Sequence, residues 1–203
     1  MKLSPPRNKV FAIGESGMQA ELAAENLPCI GGPDPAFRRD MEPRDFADIA
    51  DESILDPDVA VVLVGLDYHF NYLKLAHGLA YLRRKCTHFL ATNLDSTLPS
   101  SGSLFPGAGS ICAPLIRASG KQPLALGKPS QSMMEAVESK FEFERGRACM
   151  VGDRLDTDIK FGIDGGLGGT LLVLTGVTSK EMLDKEESII PSAYIDGLGS
   201  LKP

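Results

Sequence analysis

The 203-residue sequence predicts an α/β protein built on parallel sheets. Three observations predict it. Val59–Val64 reads VAVVLV, a continuous β-branched run of the kind buried on both faces of a parallel sheet. Short apolar runs alternate with stretches of helical spacing along most of the chain, the rhythm of strand–helix–strand units with right-handed crossovers. The apolar run 148–151 ends in Gly152-Asp153, placing a carboxylate just outside a strand's carboxyl end, where ligand sites in open α/β sheets lie.

In chain order, Lys9–Ile13 reads as a strand, and residues 14–17 turn into a helix reaching about Asn26. A short strand at 27–30 precedes a Gly/Pro/Asp loop at 31–34, and Phe37-Arg38-Arg39-Asp40 reads as a solvated loop. After Val59–Val64, residues 70–85 carry Tyr72, Leu75, Leu79 and Leu82 on one helical stripe. Residues 87–91 are the next strand, and the Pro/Gly/Ser-rich stretch 98–109 reads as a connection. A Ser-Gly-Lys-Gln-Pro turn near residues 120–122 marks a seam. Two parts are expected, 8–121 and 122–203.

In the second part, 123–126 reads as a strand, 130–141 as a helix, 148–151 as a strand and 156–163 as a helix. Gly165 and Gly166 suit that helix's end, and the glycine-rich run 165–169 reads as a helix-to-strand turn. Residues 170–174 form a further strand, a helix starts at Ser179, and a last short strand lies near 194–195. Three strands are few for a free-standing doubly wound sheet, so this part reads as the back half of a larger one.

Composition narrows the function classes. With 43% hydrophobic residues the chain can bury a sizeable core. A net charge of −6 provides no global positive field for nucleic acid or an anionic membrane. No apolar run reaches the length of a membrane span, and MKLSPPRNKV lacks the apolar segment of a signal peptide, so a soluble cytoplasmic protein is expected. Cys29, Cys86, Cys112 and Cys149 lie far apart without a Cys-x-x-Cys pair and read as buried, reduced thiols. His69, His77 and His88 form no metal-ligand set, and His77 reads as a surface or satisfied residue. Tyr68, Phe70 and Tyr72 fit equally a core or an interface.

The strongest local signal is Val151-Gly152-Asp153-Arg154-Leu155-Asp156-Thr157-Asp158. Asp153, at a strand tip, offers the oxygen donor that a hard Mg2+ ion prefers. Asp156 reads first as a cap of the following helix, and Asp158 as a support in the ion's outer shell. Gly127-Lys128-Pro129 sets a cation beside the helix start at Ser130, a compact phosphate-binding corner. Lys128 and Asp153 are expected to close neighbouring strand–loop units of one sheet. Cation, metal ligand and helix start would then converge as phosphoryl transfer requires.

GKPSQSMMEA followed by CMVGDRLDTDIKFGIDGGLGGTLLVLTG resembles the third and fourth motifs of haloacid-dehalogenase-type phosphatases. The nearest group takes in the 4-nitrophenylphosphatases, phosphoglycolate phosphatases and pyridoxal phosphatases. KVFAIGESG, VGLDYHFNY, FLATNLDST and LFPGAGS resemble that group's large α/β cap. The resemblance implies a cap over 8–121 and the C-terminal half of a Rossmann-like core over 122–203. By the same resemblance Lys128 holds the phosphate, Asp153 ligates Mg2+ and Asp158 lies in the metal's outer shell. Thr92, Asn93 and Asp95 would lie on a cap loop that reaches the substrate, a small phosphomonoester. Relatives often form a dimer surface with the segment that here spans residues 67–72, so a homodimer or a mixed dimer through the cap is expected.

The family's reaction also needs an Asp-x-Asp-Gly motif, whose first aspartate attacks phosphorus and whose second acts as general acid and base. No such motif occurs in these residues. Asp153-Arg154-Leu155-Asp156 has the wrong spacing, and Ile163-Asp164-Gly165 and Ile195-Asp196-Gly197 lack the paired aspartate. The expectation is an N-terminally truncated chain with little activity alone. The rival is a catalytically dead binding or regulatory subunit that dimerises with an intact relative.

Overall fold

The structure, a computed structural model, describes residues 7–185 and 189–201. Most of the N-terminal stretch read for a signal peptide, residues 1–6, lies outside them. The chain divides into two compact units between Ala125 and Leu126. The molecule is α/β with parallel main sheets, as the alternation of runs predicts.

The first unit holds β1 (Lys9–Ile13), α1 (Ser16–Ala24), β2 (Cys29–Gly31), α2 (Pro43–Ala50) and β3 (Val59–Val64). It continues with α3 (Tyr72–Arg83), β4 (His88–Ala91), β5 (Thr97–Ser100), β6 (Ser103–Pro106), α4 (Ala108–Ser119) and β7 (Leu124–Ala125). Five parallel strands lie in the order β2-β1-β3-β4-β7. Every residue of β3 is buried, which is why its pattern is continuous rather than alternating. Phe11, Ile13, Val62 and Val64 pack against Tyr81 and Leu82 of α3 and Cys112 and Leu115 of α4. Strand β1 has β2 on one side and β3 on the other, so the connections diverge there and open a switch point at its carboxyl end.

Two helices and a hairpin go beyond the sequence reading. Residues 98–109, expected as a connection, form the antiparallel β5–β6 hairpin and enter α4. Its turn is Ser101-Gly102, both left-handed at φ 51° and 75°, the conformation a tight hairpin demands. Helix α4 carries Pro114 inside it, yet buries Ala108, Cys112 and Leu115 on one stripe. Helix α2 starts with Pro43 and a reciprocal capping box between Glu42 and Asp45. Phe37 packs on the core, and Arg38 and Arg39 pair with Glu15 and Asp45, so 37–40 is an anchored segment rather than a solvated loop.

His77 is likewise a core residue. Only 5% exposed, it stacks on Phe11 and meets Phe37 edge-on, and burial pushes its pKa below the ordinary value. Tyr68 and Tyr72 point outward, whereas Phe70 packs on the core. All four cysteines are free, but only Cys112 is buried; Cys86 and Cys149 are exposed. Among the described residues, no helix is long and apolar enough to cross a membrane.

The second unit holds α5 (Gln131–Lys140), β8 (Cys149–Gly152), α6 (Lys160–Asp164), β9 (Gly169–Val173), α7 (Lys180–Lys185) and β10 (Ala193–Ile195). Its sheet is β10-β9-β8, parallel throughout. The helix expected over 156–163 is instead a wide π turn, Leu155–Ile159, running into α6. Residues 165–168 turn α6 into β9, as the glycines suggest. A small cluster of Leu155, Ile159 and Leu172 holds the turn against the sheet.

Strand β7 corrects the expected sheet membership. Leu124 and Ala125 pair with Leu90 and Ala91 of β4, completing that edge of the first unit's sheet. The strand before Lys128 therefore does not belong to the sheet that carries Asp153. The open ladder of β4 is satisfied by the first backbone that follows α4.

Candidate active site

Strand β8 ends in Gly152, and Asp153 follows at the sheet's carboxyl edge. The π turn then brings Asp158 back over the strand end. Its Oδ2 accepts the backbone N–H groups of Asp153 at 3.1 Å and Arg154 at 3.2 Å. Its Oδ1 accepts Lys128 Nζ at 2.6 Å. Asp158 is only 4% exposed, so a carboxylate removed from water receives three donors in return. The wider turn matters because it aims this side chain backwards over the strand end. Gly152 makes room for it; a methyl group there would overlap Asp158 Cβ.

Asp153 is held from the opposite side. Its Oδ2 accepts the Val177 N–H at 2.8 Å and its main-chain carbonyl accepts the Thr178 N–H at 3.0 Å. Lys128, Asp153 and Asp158 thus form one group within the second unit. Lys128 reaches it from the loop before α5 rather than from a strand of the same sheet. Ser130, the residue before α5, has a buried hydroxyl oxygen with no partner among the described residues. Asp156 is exposed, meets Arg154 Nε at 3.4 Å and caps nothing.

Thr92, Asn93 and Asp95 follow β4 in the first unit. The Thr92 N–H donates to Val64 O at 2.9 Å, and Asn93 Oδ1 accepts the Asp95 N–H at 3.1 Å. The start of α4 braces this loop: Gly109 N–H donates to Asp95 O and Gly107 N–H to Ser96 O, each at 2.9 Å. Side chains at 107 and 109 would strike the loop's backbone, which explains the glycines in LFPGAGS.

One cluster escaped the sequence reading. At the switch point Glu15, Asp67 and His69 draw together. Glu15 Oε1 accepts the Tyr68 N–H at 3.0 Å and lies 3.2 Å from His69 Nδ1, while Arg38 holds Oε2 at 2.9 Å. Asp67 Oδ2 accepts Lys74 Nζ at 2.6 Å, both side chains fully buried, and its Oδ1 accepts the His69 N–H at 2.8 Å. The two carboxylates are matched by Arg38 and Lys74, so the cluster pins a loop and has no charge left for an ion. Glu15 lies far in sequence from the Asp67–His69 pair, and no local spacing joins them.

The family model described as HAD-hydrolase-like matches residues 125–201. A 4-nitrophenylphosphatase of Schizosaccharomyces pombe is 44% identical over 97% of this chain and 65% of its own length. The chain belongs to the haloacid-dehalogenase-like (HAD) family. Phosphoglycolate phosphatase 1A of Arabidopsis thaliana is 40% identical over 94% of the chain and 52% of its own. Among solved structures, a HAD-family p-nitrophenyl phosphatase from Archaeoglobus fulgidus superposes with a TM-score of 0.72 at 27% identity, covering 95% of this chain and 66% of that one. A glycerol phosphate phosphatase from Mycobacterium tuberculosis in complex with magnesium gives 0.72 at 31%, covering 94% and 50%. The chain therefore spans between half and two thirds of the length of these HAD relatives.

Proposed function

We propose that this chain carries one side of a Mg2+-dependent phosphomonoester hydrolase site, with the first unit as the cap and the second as the C-terminal half of the core. The observation that carries the reading is the buried Asp158 carboxylate bonded to Lys128 at 2.6 Å beside the strand-end Asp153. Lys128 would hold the phosphate, Asp153 would ligate the ion, and Asp158 would orient both from the outer shell. The donor set fits a hard cation: carboxylate oxygens at a sheet's carboxyl edge, without a thiol or imidazole. Mg2+ would supply charge stabilisation at the phosphoryl oxygens. Thr92, Asn93 and Asp95 are the candidate substrate contacts, and small esters such as 4-nitrophenyl phosphate or phosphoglycolate the candidate substrates.

The 203 residues contain no Asp-x-Asp-Gly, so on this reading they lack a nucleophile of their own and turn over little substrate alone. The test is Mg2+-dependent hydrolysis of 4-nitrophenyl phosphate by the purified chain beside Asp153→Ala. The expected result is no turnover above background in either, from folded protein. Turnover lost in the variant would mean that these residues do hold a nucleophile.

A second reading, a binding subunit that dimerises through the cap, draws on an outward apolar surface of the first unit. Tyr68 is 73% exposed, and Leu104 and Phe105 of the hairpin are exposed as well. A mixed dimer with an intact relative, seen by light scattering, would favour it. A monomer at all ratios would remove it.

A further inference from the structure

Asp153 is gripped at two points by a segment to which the motifs assign no role. After β9 the chain passes through Thr175, Gly176 and Val177 and closes on the strand end. The Val177 N–H donates to Asp153 Oδ2 at 2.8 Å, and the next amide, Thr178 N–H, donates to Asp153 O at 3.0 Å. Thr178 is 2% exposed, so the second contact is sealed from water. Gly176 lies directly against the carboxylate: a methyl group there would overlap Oδ2 and come 2.5 Å from Cγ. No L side chain fits at 176 unless the carboxylate turns away.

We infer that the turn at residues 175–178 is a positioning clasp that holds Asp153 so as to offer a cation one oxygen, biasing the site toward Mg2+ over Ca2+. The inference rests on the reading of Asp153 as metal ligand. A carboxylate whose Oδ2 already accepts an N–H presents Oδ1 as the freer ligand atom. Single-oxygen ligation in a fixed direction suits the small octahedral Mg2+ ion, whereas Ca2+ also takes bidentate carboxylates and gains from looser geometry. Gly176 and Val177 touch neither ion nor ester; they act through Asp153, as partners of metal ligands do.

The test is calorimetric titration of the whole chain with MgCl2 and with CaCl2, for wild type, Asp153→Asn, Gly176→Ala, Val177→Pro and Val177→Leu. Asp153→Asn is expected to lose the Mg2+ heat. Gly176→Ala and Val177→Pro are expected to weaken Mg2+ by about 10- to 100-fold, the range for lost outer-shell partners. Ca2+ weakens less, so the selectivity ratio falls. Val177→Leu keeps the N–H and the wild-type values.

If Asp153→Asn loses Mg2+ while folded Gly176→Ala and Val177→Pro keep wild-type affinity and ratio, the clasp is wrong and the metal reading stands. If wild type and Asp153→Asn respond alike, the metal reading fails and the clasp falls with it. The Val177 amide resonance of the wild-type chain decides the matter even where a variant unfolds. It is expected to be protected from exchange and to move on Mg2+ addition. A freely exchanging, unmoved amide overturns the clasp.

Discussion

The two units invest differently. In the first, all six residues of β3 are buried and a single cluster joins three strands to α3 and α4. In the second, the residues of β8 run exposed, intermediate, exposed, intermediate, and among the described residues the buried apolar side chains are Met134, Leu155, Ile159, Phe161 and Leu172. Yet the group of Lys128, Asp153 and Asp158 lies in the second. Hydrophobic burial governs stability, whereas a site needs polar groups gathered at a sheet edge. The first unit carries the larger buried core; the second carries the backbone N–H groups and the lysine that orient Asp153 and Asp158.

The largest effect should come from emptying the first core. Phe11→Ala is expected to cost about 3–5 kcal/mol, read as a lowered midpoint in urea. Hydrogen exchange should also rank the units, with β3 amides opening at higher free energy than β8 amides; the reverse order would break the comparison. Lys74→Ala, which leaves Asp67 as an uncompensated buried charge, should cost about 3 kcal/mol. In the second unit, Asp158→Ala strands two backbone N–H groups and Lys128, and about 2 kcal/mol should be lost from that unit's transition.

Acid separates the units more gently. Two hydrogen bonds from Arg39, followed by the Glu42 N–H, hold Asp45 well below the usual carboxylate range. A depressed folded pKa gives stability that is whole above about pH 4 and lost as pH falls through the folded value. Melting of the first unit between neutral pH and pH 2 should show this loss, and Asp45→Asn should flatten it. The smallest effect belongs to the exposed pair Lys160–Asp164 at 2.9 Å, where Lys160→Ala should shift stability by about 0.5 kcal/mol or less.

How much of this was legible depends on how far each signal reaches along the chain. VAVVLV announced a buried strand because burial on both faces writes itself into consecutive residues. Helix α4 was hidden by Pro114, although Cys112 and Leu115 keep helical spacing. The hairpin was hidden because its strands are largely exposed and show no alternation. A two-residue strand does not declare its partner, and the sequence therefore leaves β7's place beside β4 unmarked. The π turn differs from an α-turn by one residue of hydrogen-bond offset, which spacing does not resolve. Lys128, Asp153 and Asp158 were found together because their motifs carry the resemblance. Gly176 was not, since its reason is a clearance across 23 residues of chain from Asp153.

Among the described residues the β5–β6 hairpin pairs with no other strand, and its two ends are tied where Gly107 N–H meets Ser96 O at 2.9 Å. Length and sequence between those tie points are therefore uncoupled from the register of the five-stranded sheet. That makes the hairpin a natural cassette: it can be lengthened, recoded or swapped between relatives while the scaffold beneath keeps its fold. Chimaeras exchanged at Ser96 and Gly107 offer a direct way to assay the hairpin's own contribution.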